Sequence, residues 1–254
     1  MSLNKCLHCF KSCNLSPAFQ KQESIISNPV TIKHPSTVTI LYGLICNLRC
    51  SMCRQDHQNN LMLDSDILKK NINWSYVENI ELQGGEILAM KDAKNMYLWL
   101  TKQMNKKVDL ITNGVLINDE WAEHLVRGSR KIRISVNAAS KKTHELINKG
   151  SNYEKVVNNI RKLISLKQYH NLDVKIQYKF TIVPENINEI ADAIEVADNL
   201  GCSKINFGYD HMVPSVIREN NELHEQLKNR LNQLVRSNLK IEIEQYRLRL
   251  LGLL

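Results

Sequence analysis

The chain has 254 residues, enough to bury one large hydrophobic core, and a formal net charge of +8 from 34 basic against 26 acidic residues. No apolar run approaches the roughly 20 residues of a membrane span and the N-terminus lacks the apolar core of a signal peptide, so membrane-spanning and secreted classes are excluded and we expect a cytoplasmic protein. The lysines are spread over predicted helices, with no patch of interleaved aromatic residues, so the charge does not favour nucleic-acid binding.

The first predicted element is a cysteine-bearing stub over residues 1–34, ahead of a main domain over residues 35–254. Its cysteines are Cys6, Cys9 and Cys13. In a reducing compartment such clusters indicate metal ligands more readily than disulfides. Three alternatives stay open: an auxiliary iron–sulfur cluster, a zinc site completed by His8, or reduced thiols without a metal. Cys202 follows Gly201 at a predicted helix end and is expected to be a buried core thiol at the opposite rim.

A second cysteine group, Cys46-x3-Cys50-x2-Cys53, follows the first predicted strand. Three thiolates can ligate three irons of a [4Fe–4S] cube and leave the fourth iron open to a small chelating molecule, whereas four would close the cube into an electron carrier. The spacing therefore favours catalysis over electron storage. The alternative is a zinc site that uses the same cysteines with His57.

From the first strand onward, β-branched runs alternate with amphipathic stretches, which predicts βα units around a parallel sheet. The predicted strands are Thr37–Tyr42, Val77–Gln83, Val108–Thr112, Lys131–Val136, Val174–Val183 and Lys204–Phe207, with a short seventh candidate at Leu239–Gln245. The predicted helices are Ser65–Ile72, Asp92–Met104, Asp119–Arg127, Tyr153–Leu166, Ile187–Leu200 and Asn220–Ser237. Asn186 and Glu189 form a capping-box-like start, and leucines of the last helix recur at the spacing of a buried face.

Short glycine-containing or polar motifs lie at the ends of these strands. They are Gly84-Gly85-Glu86 after the second strand, Thr112-Asn113-Gly114 after the third, Ser135-Val136-Asn137 at the end of the fourth, and Phe180 to Asn186 at the fifth. The carboxyl ends of the strands form the functional face of α/β barrels, so these motifs and the cysteine loop are expected to converge on one rim.

Together these motifs, from about Thr37 to Phe207, resemble the radical S-adenosylmethionine (radical SAM) enzymes. The resemblance implies an open, partial (β/α)6 TIM-like barrel with a [4Fe–4S] cluster and S-adenosyl-L-methionine. It implies an enzyme that cleaves S-adenosylmethionine reductively to a 5′-deoxyadenosyl radical, which abstracts hydrogen from a peptide or small-molecule substrate. A flavodoxin or ferredoxin-like protein would be the electron donor.

The resemblance also implies residue roles. Cys46, Cys50 and Cys53 would hold the cluster, and Met52 would lie near the adenine. The predicted cofactor-binding residues are Met52, Gly84, Gly85, Glu86, Thr112, Asn113, Ser135 and Asn137. Within this set, the glycines would let the backbone approach the methionine moiety, while Glu86 would hold its ammonium group.

Ser135 and Asn137 would bond the ribose, and Thr112 and Asn113 would serve cofactor or substrate. Two positions depart from the family pattern: Ile87 replaces the proline that often follows the GGE motif, and Asn137 replaces an acidic residue. Tyr209, Asp210 and His211, beyond the sixth strand, are candidates for substrate contact.

Alternatives to this function stay open. A glycyl-radical-activating enzyme would share the first motifs, but its fourth strand usually carries an Asp-Leu-Lys-like sequence where this chain has Ile134-Ser135-Val136-Asn137. A second alternative is a non-catalytic iron–sulfur sensor or scaffold. With its N-terminal cysteines the chain resembles the twitch- or SPASM-type members most, yet no cysteine-rich extension follows the barrel. We therefore expect either a barrel capped by a short helix or a fragment.

Overall fold

The centre of the structure is a parallel sheet of seven strands, seen in a computed structural model that describes residues 34–56 and 58–254. In spatial order its strands are β1 (Thr37–Leu41), β3 (Asn79–Gln83), β4 (Val108–Thr112), β5 (Ser129–Ser135), β7 (Lys175–Ile182), β8 (Lys204–Tyr209) and β9 (Glu242–Ile243). Each neighbouring pair is parallel, and β1 and β9 lie at the two edges. The predicted open α/β sheet is confirmed.

A second, antiparallel ribbon joins β2 (Arg49–Cys50) to β6 (Asn148–Lys149). The pairing sets Cys50 opposite Asn148, and the Ser51 N–H donates to the Ile147 carbonyl at 2.8 Å. Sequence reasoning missed this ribbon because two-residue strands carry no periodicity. It fixes the cysteine loop to a segment that follows β5.

Helices connect the strands and cover one face of the sheet. They are α1 (Ser65–Asn71), α2 (Lys91–Leu98), α3 (Asp119–Gly128), α4 (Lys141–Ile147), α5 (Tyr153–Tyr169), α6 (Ile190–Asn199), α7 (Val213–Glu219), α8 (Asn221–Val235) and α9 (Tyr246–Leu250). The side chains of Asn118, Asn152 and Asn220 cap α3, α5 and α8 by accepting hydrogen bonds from first-turn N–H groups.

The strands alternate between a buried apolar face and a polar face. Apolar side chains of β3, β5 and β7 pack beneath the helices: Ile80, Leu82, Ile132, Ile134, Tyr178 and Phe180. The residues between them point to the other side of the sheet. There, Glu81 of β3 and Glu242 of β9 line one cavity of about 550 Å³, so the sheet curves and its polar face is concave.

Two sequence predictions differ from the structure. The capping box of Asn186 and Glu189 is wrong, because Asn186 makes no side-chain capping bond. Its amide instead donates to the Asn137 and Thr181 carbonyls, while the Glu189 carboxylate accepts bonds from the Ala139–Thr143 segment. Both residues therefore serve long-range contacts that local spacing does not reveal.

The predicted helix Asp92–Met104 is also divided. Regular α-helix ends at Leu98, and a π-helical segment continues over Trp99–Gln103. The Thr101 hydroxyl donates to the Tyr97 carbonyl at 2.9 Å, a back-bond of the kind that bends helices.

Other predictions hold at the end of the chain. In α8, Leu227 and Leu231 are buried and Leu223 and Leu234 pack against the core. Cys202 is buried before β8, at the rim opposite the strand ends. The short α9 follows β9. No helix in the described part of the chain has both the length and the apolarity that crossing a membrane requires.

Candidate functional site

The cysteine loop begins just after β1 and is held by backbone bonds. Gly85 N–H donates to the Gly43 carbonyl at 2.7 Å, and Glu86 N–H donates to the Ile45 carbonyl at 2.8 Å. Inside the loop, Leu48 is buried and its N–H points at the Cys46 sulfur, 3.4 Å away. The loop is thus pinned to the end of β3 on one side and to β6 on the other.

The thiols of Cys46, Cys50 and Cys53 are free and only partly buried. Burial raises the pKa of Cys46, and burial with the neighbouring cysteines raises the pKa of Cys50 to about 12. Metal coordination requires thiolates, so a bound positive centre would reverse the balance that keeps these groups protonated. All three line one cavity.

The two glycines of the GGE motif are required by the packing of that loop. A Cβ at Gly85 would lie 2.2 Å from the Ile45 carbonyl oxygen, and one at Gly84 would lie 2.8 Å from the Gly43 carbonyl oxygen. Gly84 also has a φ of +149°, which L side chains rarely adopt. Glycine lets β3 end directly against the loop, and both residues line the cavity.

Glu86 is buried and supports the neighbouring turn. Its carboxylate accepts bonds from the Thr112 hydroxyl at 2.8 Å, the Asn113 N–H at 2.7 Å and the Leu88 N–H at 3.1 Å. Burial raises its pKa, while these bonds oppose the shift. The ammonium contact predicted for Glu86 stays a prediction.

The TNG turn is tied to the cysteine loop. The Asn113 side-chain amide donates to the Asn47 side-chain oxygen at 2.9 Å, and the Asn113 oxygen accepts from the Val115 N–H at 3.0 Å. Thr112 and Asn113 both line the cavity. The loop and the ends of β3 and β4 therefore form one bonded unit.

Ser135 and Asn137 lie at the end of β5, and they differ in whether their side chains are already hydrogen-bonded. Asn137 has a φ of 60° and is buried, and its side chain donates to Asn148 Oδ1 at 3.0 Å and accepts from the Thr181 N–H at 2.9 Å. The Ser135 side chain has no hydrogen bond to the described residues, so its hydroxyl remains available in the cavity. The ribose contacts of both stay predictions.

These groups share a cavity of about 270 Å³ at the carboxyl ends of the strands. Of the predicted site, it is lined by Cys46, Cys50, Met52, Cys53, Gly84, Gly85, Thr112, Asn113, Ser135 and Asn137. Glu86 lies behind this wall. Three half-buried thiols beside glycine backbone, hydroxyl and amide groups form a donor set that fits an iron–sulfur cube with a polar chelating cofactor.

Sequence reasoning missed several lining residues, including Gln55, Gln83, Ile111 and Lys179. The signal for Lys179 was present: a lysine between Tyr178 and Phe180 in an apolar strand marks an inward-facing charge. Gln83 similarly ends β3 on the concave face.

The three substrate-contact candidates at the end of β8 and just beyond it, Tyr209, Asp210 and His211, do not line this cavity. Asp210 and His211 line a separate cleft of about 350 Å³ with residues 51–54 and 183–185. Arg54 bridges this cleft, 2.6 Å from His211 Nδ1 and 3.5 Å from an Asp210 oxygen. Tyr209 instead lies against Arg247, whose guanidinium carbon is 5.9 Å from its ring centre.

The proposals for further metal sites are not tested. Cys6, Cys9, Cys13, His8 and His57 lie outside the described residues. Among residues 34–56 and 58–254, no three His, Cys, Asp or Glu side chains converge on a point where one metal ion could sit. A cube differs from a single ion because its ligands bind separate corners.

A family profile described as the Radical SAM superfamily matches residues 40–197. Among curated proteins, a probable GTP 3′,8-cyclase of Saccharolobus islandicus is 25% identical over 169 residues, which cover 63% of this chain and 52% of the relative. One from Methanocaldococcus jannaschii is 25% identical over 162 residues, 61% of this chain and 53% of the relative. The chain thus spans about half the length of these relatives.

Among solved structures, Streptococcus suis SuiB bound to its precursor peptide SuiA superposes with a TM-score of 0.64 at 14% identity, covering 89% of this chain and 51% of SuiB. Native anSMEcpe with bound AdoMet gives 0.62 at 17% identity, covering 84% of this chain and 66% of that one. These likenesses support the unclosed barrel fold.

Proposed function

Because the chain belongs to the radical SAM superfamily, whose members use a [4Fe–4S] cluster and S-adenosylmethionine, we propose that it is an enzyme that removes a hydrogen atom from a small polar substrate. The observation that carries this proposal is the single cavity shared by three thiols and the ends of β3, β4 and β5. When bound, the cluster and S-adenosylmethionine supply a 5′-deoxyadenosyl radical for that step.

In this proposal, Cys46, Cys50 and Cys53 would hold the cluster through their thiolates. Gly84 and Gly85 offer backbone groups to the methionine moiety, because no side chain stands between them and the cavity. Glu86 acts from behind by fixing Thr112 and Asn113.

The ribose side of the cofactor would be bound at the end of β5. The Ser135 hydroxyl can donate and accept hydrogen bonds to a diol. Asn137 has its amide engaged by Asn148 and Thr181, so its contribution is to fix the backbone that follows Ser135. Met52 supplies a polarizable wall for the adenine.

The substrate would enter the concave face of the sheet. The 550 Å³ cavity on that face, called the lower cavity, adjoins the cofactor cavity. On β5, Arg133 lines the lower cavity and Ser135 the cofactor cavity; on β7, Gln177 lines the lower cavity and Lys179 the cofactor cavity. A substrate there would lie against the polar face of the sheet, whose side chains could orient its reacting carbon. The lining is polar, which favours a small polar metabolite.

A peptide substrate is the second candidate. The cleft that Arg54, Asp210 and His211 border opens beside Met52 and Cys53, so a chain could lie across the rim and insert one side chain. The structural neighbour SuiB is bound to a precursor peptide. We propose a cytoplasmic location and a flavodoxin or ferredoxin-like electron donor for either substrate.

The test is anaerobic reconstitution with iron and sulfide, reduction with dithionite in the presence of S-adenosylmethionine, and chromatography for 5′-deoxyadenosine. Wild type should form the product, and Cys50→Ala should lose it together with bound iron. Cys202→Ala is the matched control, since Cys202 is buried at the opposite rim and should retain both. Equal iron content and product in the wild type and Cys50→Ala would contradict the proposal.

A further inference from the structure

One half-buried cation of the concave face, Lys179, forms no ion pair with the described residues. Lys179 lines the cofactor cavity beside Ser135, and within the described part of the chain its ammonium makes neither a hydrogen bond nor an ion pair. A half-buried ammonium has lost part of its hydration, and a bound anion would offset that cost. Burial and then the nearby Arg133 charge lower the pKa of Lys179, while the Glu81 carboxylate opposes this shift.

The guanidinium of Arg133, two residues before Ser135 on β5, is only partly paired. Its terminal nitrogen pairs with the Glu81 carboxylate, but its Nε is buried and has no hydrogen-bond partner. Arg133 lies two residues before Ser135, the strand neighbour of Lys179, so both cations point to the concave face at adjacent levels. Arg133 Nη1 and the Lys179 ammonium, neither of which has a hydrogen-bond partner among the described residues, therefore border the junction of the two cavities.

The other charges of the lower cavity cannot supply the missing partner. Its three carboxylates are already engaged: Glu81 with Arg133, Asp109 with Arg130 and Lys131, and Glu242 with Lys204. A bound phosphate or carboxylate would give Lys179 a charged acceptor and offer oxygens to both cations at once.

We propose that Lys179 and Arg133 form an oxyanion-binding pair that orients the substrate through a phosphate or carboxylate group. This inference rests on the proposed function, because it places the substrate in the concave cavity below the cofactor. The anion would be held at the junction, with the rest of the molecule in the 550 Å³ space and its reacting carbon towards Ser135. The substrate class is a small oxyanion-bearing metabolite.

The experiment is anaerobic calorimetry on the full, reconstituted chain with S-adenosylmethionine present, using inorganic pyrophosphate and succinate as separate probes. Wild type should bind at least one of them, with an affinity that falls as salt rises. Lys179→Met should weaken that binding at least about tenfold, and Lys179→Arg should restore most of it. The control Lys162→Met removes an exposed lysine that pairs with Asp119 on the outer surface and should match wild type.

A second variant guards against a folding defect. Glu81→Gln with Arg133→Gln removes a charge pair together and should weaken probe binding while circular dichroism stays native. Pyrophosphate binding alone would assign a phosphate, and succinate binding alone a carboxylate. Either result supports the pair.

Three results would overturn the inference. They are equal probe binding by wild type and Lys179→Met, no saturable binding by wild type in the millimolar range, and a Lys179→Met defect confined to the affinity for S-adenosylmethionine. The last would assign Lys179 to the cofactor carboxylate. Because 5′-deoxyadenosine is measured on the same preparations, failure of wild type to form it would count against the proposed function separately.

Discussion

Replacement of Asn148 by alanine tests how the cysteine loop is positioned. Asn148 is buried opposite Cys50 in the β2–β6 ribbon. Its amide donates to the Val136 carbonyl at 2.8 Å, and its oxygen accepts from Asn137 Nδ2 at 3.0 Å. Asn148 thus joins the loop that bears the cluster cysteines to the end of β5.

The expected loss of folding stability in Asn148→Ala follows from the groups that lose a hydrogen-bond partner. The Val136 carbonyl retains a bond from His144 Nδ1 at 2.6 Å, so only the direct bond from Asn148 is lost there, about 1 kcal/mol. Buried Asn137 Nδ2 is left unsatisfied, which costs about 1–3 kcal/mol. The total, about 2–4 kcal/mol, corresponds to a fall in melting temperature of about 5–15 °C for a chain of this size.

Urea unfolding under anaerobic conditions measures this loss of stability. An unchanged slope of the unfolding free energy against urea concentration would show that the folded and unfolded states are otherwise preserved. The matched control is Asn199→Ala, which removes an exposed amide at the end of α6 and should change stability by less than about 0.5 kcal/mol. Iron bound per chain should also fall in Asn148→Ala. If its stability and iron content equal those of Asn199→Ala, the ribbon does not position the loop.

Three further outcomes are expected. Gly85→Ala should cost about 1–3 kcal/mol and reduce iron incorporation, because its Cβ would lie 2.2 Å from a backbone oxygen, whereas Gly208→Ala, with its nearest contact at 3.9 Å, should be tolerated in a urea titration. Burial lowers the pKa of His144 from 6.5, so the unfolded chain binds a proton first and stability should fall as the pH drops below about 6.5; a pH series of unfolding curves should lose that component in His144→Gln, and an identical pH dependence in the variant would refute it. Leu231→Ala should cost about 2–4 kcal/mol by thermal unfolding, because the side chain is fully buried in α8, and a shift of less than 1 °C would contradict this packing.

The features that could be predicted from the sequence are those that depend on local sequence pattern. Strand positions follow from β-branched runs, and the cysteine spacing lies within one loop, so both could be predicted without tertiary information. The convergence of the motifs followed from one rule, that parallel strands end at a common rim. The structure agrees for every cavity-lining motif, while Glu86 shows the limit: spacing indicated that it belongs to the site but not that it lies behind the wall.

What could not be predicted depends on partners that are distant in sequence. The capping motif at Asn186 and Glu189 satisfied a local rule, but neighbouring strands and the segment after Asn137 offered those side chains other donors and acceptors. The division of the second helix differs, because the bond found there is local: the Thr101 hydroxyl donates to the Tyr97 carbonyl within a pattern that predicts one continuous helix.

The departure at Asn137 from the acidic residue of the family pattern has a physical reason in this chain. Its Nδ2 donates to Asn148 Oδ1 and its oxygen accepts from the Thr181 N–H, which fixes the direction of the amide. A carboxylate has no N–H donor, so an aspartate there would set two oxygens against each other in a buried space. Asparagine also tolerates the positive φ of 60°. The residue that sequence comparison marks as anomalous is therefore the one that the ribbon holding Cys50 requires.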